Sequence, residues 1–261
     1  MTALSGHPVE DMLKRRGFEV QLRNPREYLF FPDATEEVED LLYGMLRRYS
    51  FRIFIRDVIK KKESFSAGDL TRYTGQELAG EYLGFLMRLK LIEENGPGSY
   101  RLKAREIFSF GDTLEWLVAR IFEREFASPA LWGLRLKGAE AGGDYDCIAS
   151  VEGRLVYVET KSSPPKNIEE AEVSAFLKRA EALKPYGAIF LEDTMLRMKD
   201  KIVPFFEGLV EGREVKRVES ETFSIDDKVF ITNSGRDIAA NLGLCVRRML
   251  SPEGFWDIKG P

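Results

Sequence analysis

Three side chains near the middle of the chain, Asp146, Glu159 and Lys161, have the types and spacing for chemistry on phosphate esters. They fall in GGDYDCIASVEGRLVYVETKSS, residues 142–163, which reads as strands over 145–151 and 155–161 around a Glu152-Gly153 turn. β-Branched and aromatic residues fit extended chain, and Glu-Gly serves as a two-residue hairpin loop. Such a loop pairs Val151 with Arg154 and Ser150 with Leu155, which brings Asp146 opposite Glu159. Opposed residues share a sheet face with Cβ atoms about 4.5–5.5 Å apart, and alternation adds Lys161 to that face. A four-residue loop keeps this register, and an odd-length loop shifts it. A slip of two would put Asp144 in place of Asp146.

Neighbouring carboxylates repel unless a proton or cation sits between them. Magnesium takes oxygen ligands and needs only one or two carboxylates besides substrate phosphate. Lys161 adds a compact charge that can hold a phosphate oxygen or, with its pKa shifted by burial, help deprotonate water. The combination points to metal-assisted phosphodiester hydrolysis. The plain alternative makes Asp144 and Asp146 turn residues and Glu159 with Lys161 a solvated pair. Against it stand Cys147, Ile148, Ala149, Val156 and Val158. Strands this apolar lie inside a sheet, where acids need a reason.

On Asp146, the hairpin and Glu159-Thr160-Lys161, the chain resembles the PD-(D/E)XK nuclease superfamily over about residues 109–192. Within it the likeness is greatest to the Mrr-like and archaeal Holliday-junction-resolvase-like groups. Tyr145 stands where the family name has proline. The resemblance implies an α/β fold, a restriction-endonuclease-like αβββαβ core with a central mixed sheet. It also implies a DNA endonuclease using Mg2+ (or Mn2+). Asp146 and Glu159 would be the metal ligands with the Thr160 backbone carbonyl, and Lys161 the catalytic lysine. Glu115 matches a family glutamate that faces the metal from the first core helix. By its own neighbours it is also an ordinary glutamate at the edge of a buried stripe. A homodimer would supply two sites for cutting two strands.

The elements that must position these residues follow from periodicity. Residues 109 or 112 to 126 form a helix with Leu114, Leu117, Val118, Ile121 and Phe122 inward. Residues 131–137 form a first strand, 168–183 a helix stopped by Pro185, and 187–191 a buried strand. Residues 193–210 read as helix with Pro204 as a kink, 215–218 and 229–232 as strands, and 237–250 as a final helix. Phe255 and Trp256 follow in a tail that would pack back or serve a partner.

Residues 1–104 read as a separate N-terminal module and 105–261 as the nuclease-like domain. A short helix over 9–16 and a strand over 18–22 carry no function. From Thr35 the pattern is helical, with Val38, Leu41, Leu42, Met45 and Leu46 inward and acids in the first turn. A second helix spans 51–61 and a short one runs from 66 or 67 to Tyr73. Thr74-Gly-Gln-Glu77 reads as a capping box opening a helix to about 90, and 91–102 as a hairpin. This order resembles a winged-helix domain over about 35–102, mostly helical. Its second long helix exposes Glu77 and Glu81, which repel phosphate, so protein contact suits it better than DNA. The DNA surface, if the module has one, is the basic run Arg47, Arg48, Arg52, Arg56 and Lys60, continued by Lys61 and Lys62 with only Asp57 between. A solvated helix face reads the run equally well.

The net charge of −4 is unusual for a nucleic-acid binder. His7 is the sole histidine, so hydrolysis must run on carboxylates, lysine and metal. Cys147 and Cys245 stand in apolar contexts as buried thiols of a cytoplasmic protein and cannot build a zinc site alone. No apolar run is long enough for a membrane span.

Overall fold

A computed structural model describes residues 6–71, 74–104, 106–139 and 142–250. The expectations for Tyr73 and for Phe255 and Trp256 lie outside the described residues. In chain order the elements are α1 (Pro8–Arg15), β1 (Glu19–Leu22), α2 (Glu36–Leu46), α3 (Tyr49–Lys60), α4 (Gln76–Arg88), β2 (Ile92–Gly96), β3 (Ser99–Leu102) and α5 (Gly111–Glu125). There follow β4 (Ala130–Lys137), β5 (Asp144–Val151), β6 (Arg154–Lys161), α6 (Glu170–Leu183), β7 (Gly187–Glu192), α7 (Ile202–Leu209), β8 (Lys216–Glu219), β9 (Thr222–Ile225), β10 (Val229–Asn233) and α8 (Ile238–Leu250).

The chain divides into two compact units, residues 24–117 and residues 1–23 with 118–261. The expected boundary near residue 104 therefore needs correction at both ends. β1 pairs antiparallel with β4, so the first residues belong to the sheet of the later half. The other boundary falls inside α5.

The larger unit is built on a mixed eight-stranded sheet, ordered β1-β4-β5-β6-β7-β10-β9-β8. β6, β7 and β10 run parallel, and the remaining pairs are antiparallel. α6 carries the chain from β6 back to the start of β7, as a parallel pair requires. One face buries Tyr145, Ile148, Leu155, Tyr157 and Phe190 with Val9 and Leu13 of α1, Val173 and Phe176 of α6 and Phe206 of α7. On the other face Met249 of α8 packs closely on Gly187, with its sulfur where a Cβ would lie. A side chain at Gly187 would therefore make Met249 shift.

One expectation fails in this unit and one strand was missed. Residues 193–201 form a loop, and α7 starts only at Ile202, with Pro204 in its first turn, where a missing N–H costs nothing. β9 went unread because Thr222–Ile225 is short; it pairs with both β8 and β10. Asp237 caps α8 through the N–H groups of Ala239 (2.8 Å) and Ala240 (3.3 Å).

In the smaller unit α2, α3 and α4 precede the β2–β3 hairpin, and Phe65 bridges to Tyr100. Phe51, Phe54 and Tyr82 make edge-on ring contacts at its centre. Leu41, expected inside, is exposed. Thr74 does not cap α4 either: Gly75 occupies the N-cap with φ 73°, and the Thr74 hydroxyl donates back to Leu70 O at 2.9 Å. No helix among the described residues is long and apolar enough to cross a membrane.

Candidate active site

The β5–β6 turn sets the geometry of the site. Glu152 and Gly153 both take positive φ, 48° and 71°, the backbone of a two-residue turn that matches strand twist. Val151 pairs with Arg154, Ser150 with Leu155, and the ladder continues to Cys147 with Val158. One step further the ladder opens, and the expected pairing of Asp146 with Glu159 is not formed. The Thr160 N–H donates to Asp146 Oδ2 at 2.7 Å, and the Thr160 hydroxyl lies 3.2 Å from the same oxygen. The carboxylate thus takes the place a main-chain acceptor would fill. Asp144 does not compete for this position; it is exposed and ion-paired with Arg135.

Glu159, only 2% exposed, is held from three sides. Its Oε2 accepts the Tyr157 hydroxyl, while Oε1 meets Lys161 Nζ at 2.9 Å and Arg179 at 2.7 Å. Arg179 also donates to the Tyr157 hydroxyl at 3.0 Å, and Lys161 reaches Glu172 at 3.3 Å. Tyr157 is itself fixed by rings: Tyr145 edge-on at 5.2 Å and Phe176 at 5.6 Å. The apolar core therefore orients the polar cluster.

Burial and then the Glu159 charge push the Asp146 carboxyl up to about 7, against the Thr160 N–H, Lys161 and Arg179, which pull it down. Burial alone would lower the Lys161 pKa, but Glu159, Asp146 and Glu172 outweigh it and hold the ammonium above its usual value. Burial likewise opposes the Arg179 charge, and Tyr157 and Glu159 overcome it. Lys161 is therefore an ammonium at neutral pH, which favours phosphate binding over proton abstraction.

A pH dependence of stability follows with a definite sign. The folded Asp146 keeps its proton to about pH 7, while an unfolded one releases it near 3.8. The folded state binds the extra proton, so stability falls as pH rises from about 4 to 7 and levels off above. Asp146→Asn should remove this slope, gaining at most roughly 4 kcal/mol over wild type at pH 8 relative to pH 4. Urea midpoints of both proteins at the two pH values measure it.

Arg179 and Glu172 were missed in the sequence. Their signal was there: Glu172, Phe176 and Arg179 are spaced four and three apart, so they share a face of α6 with a core aromatic. A polar residue on the core stripe of the helix after β6 has to serve something buried.

The other expected site residues are on α5 and in the basic run. Glu115 lies on α5 in the smaller unit, half-buried. In the basic run, Arg52 is fully buried and donates to Leu46 O (2.7 Å) and Arg47 O (3.0 Å), closing the end of α2. That corrects its reading as a phosphate contact. Arg56 lies over the Phe110 ring and Arg47 over that of Tyr43. Arg48 and Lys60 are exposed.

No protein-family profile matches the chain. No curated protein matches it. Among solved structures it is similar to protein VC1899 from Vibrio cholerae, with a TM-score of 0.54, 14% identity and 93% of this chain covered. It is also similar to Can2 from Sulfobacillus thermosulfidooxidans in complex with cyclic tetra-adenylate, with a TM-score of 0.53, 12% identity and the same coverage. At these identities the likeness is one of fold, and the chain spans 60% of the length of each.

Proposed function

We propose that the larger unit is a metal-dependent nuclease of the PD-(D/E)XK type acting on DNA, with the 24–117 unit as a winged-helix-like accessory. The observation that carries this reading is the Glu159–Lys161 ion pair where β5 and β6 part, with Asp146 held on Thr160 and close enough to feel the charge of both. The fold shared with Can2, which binds a cyclic oligoadenylate, agrees with a nucleotide ligand. The residues fit a divalent cation: two carboxylates close enough for one to raise the pKa of the other, beside a strand end. Among the described residues no group of three or more acids, histidines or cysteines is poised to hold a metal, so water and substrate phosphate would complete the shell. Asp146, Glu159 and the Thr160 carbonyl would hold the ion. When bound, it would acidify the attacking water and offset charge on the phosphate.

The chain's own residues do the rest. Once a divalent ion displaces the Asp146 proton, three carboxylates, Asp146, Glu159 and Glu172, against Lys161 and Arg179 leave the side chains one negative charge, which the ion turns positive toward a phosphodiester. Lys161 then binds a phosphate oxygen, and Arg179 with Tyr157 keeps Glu159 aimed.

One observation favours a second reading. Both Glu159 oxygens are already occupied by Tyr157, Lys161 and Arg179, as in an ion-pair network that holds a non-catalytic nucleic-acid-binding or regulatory module together. Plasmid, branched and single-stranded DNA, and RNA, incubated with Mg2+ or Mn2+ and with a chelator, separate the two. Metal-dependent products are expected. No product on any substrate rejects the nuclease in favour of the module.

A further inference from the structure

We propose that the loop 194–201, where β7 ends beside the catalytic strand, is a nucleic-acid contact. Met195 and Leu196 press against bases next to the scissile phosphodiester, while Arg197, Lys199 and Lys201 hold the flanking phosphates. The proposal rests on the nuclease reading and adds to it the element that grips the substrate.

Met195 and Leu196 are 59% and 57% exposed, adjacent, and at the tip of a loop that is firmly tied. The Leu196 N–H donates to the Thr194 hydroxyl (3.1 Å), and its carbonyl accepts Asn233 Nδ2 (2.9 Å). Met198 N–H donates to Glu221 (2.8 Å) and its side chain is fully buried. The backbone is fastened on both sides of the tip, so the two apolar side chains are presented to solvent by a fixed frame. Large apolar side chains held outward in this way mark a contact surface.

The place and the charge say what the contact is. Asp193 N–H donates to the Lys161 carbonyl at 2.8 Å, and Met195 begins two residues further on, at most about 7 Å of chain. The tip is followed by Arg197, Lys199 and Lys201 with one acid, Asp200. Lys201 also donates to Lys166 O (2.7 Å), which joins the loop to the segment leaving β6 and brings a fourth cation to the rim. An apolar tip ringed by cations matches a ligand with flat apolar faces and a polyanionic backbone. Methionine and leucine are among the residues that wedge against base steps.

Fluorescence anisotropy of labelled DNA with the full chain in chelator tests the contact without cleavage. Met195→Ser with Leu196→Ser should weaken binding about ten-fold and leave its salt dependence unchanged. Arg197→Ala with Lys199→Ala should reduce the slope of log affinity against log salt by about two. Both variants alter exposed side chains, so unchanged melting temperatures are expected. Wild-type binding and cleavage with neither variant altering affinity or slope overturns the proposal alone, and assigns the tip to a protein partner. A chain that neither binds nor cleaves overturns the nuclease reading as well.

Discussion

Lys161→Ala should lower the cleavage rate by roughly 10²–10³-fold, the usual loss when a fixed charge aimed at a developing anion is removed, while the fold persists. The side chain is partly exposed and Glu159 keeps Arg179 and Tyr157, so the stability cost should be only about 1 kcal/mol. On the proposed reading its role is electrostatic, because Glu159, Asp146 and Glu172 outweigh burial and hold the ammonium above its usual pKa. Lys161→Arg tests this directly. A guanidinium does not deprotonate, so any activity it retains above the alanine level excludes proton abstraction by the lysine. Single-turnover rates between pH 6 and 9 provide the measurement. A wild-type rate that climbs with deprotonation of Lys161, together with an inactive arginine variant, would instead make the lysine the base.

The second large effect is on stability. Arg179→Met should cost roughly 2–4 kcal/mol, because it removes a cation from a buried carboxylate and a donor from the Tyr157 hydroxyl. For a unit of this size that is a fall in melting temperature of roughly 5–12 °C. Adding Glu159→Gln should recover much of the loss, since the charge left behind by the arginine is then gone. Thermal unfolding of the two single variants and the double gives the coupling. Strict additivity would mean that Arg179 acts independently of Glu159.

The turn that aligns the two acids and the basic run show where reading the sequence succeeds and where it stops. The hairpin register depends on two residues and their neighbours, and Val151 meets Arg154 as counting from Glu152-Gly153 requires. The basic run looked like a surface because seven cations cluster in it. Yet Arg52 spends its guanidinium on carbonyls at the end of α2, Lys61 pairs with Asp69, and Lys62 donates to Ile107 O. Sequence spacing has no access to such partners. The 193–201 segment was read as helix for a related reason: its composition permits one, but Asn233 and Glu221, over 20 residues away in sequence, hold it open.

Local chemistry alone therefore determined the paired strands and their register as far as Cys147 and Val158, because a two-residue turn and side-chain alternation act over a few residues. Only the tertiary structure decided that Arg179 and Glu172 complete the cluster, that β1 joins the sheet, and that Arg52 turns inward. Each of those depends on which distant segment supplies the partner for a buried charge or an open strand edge, and that choice is made by packing.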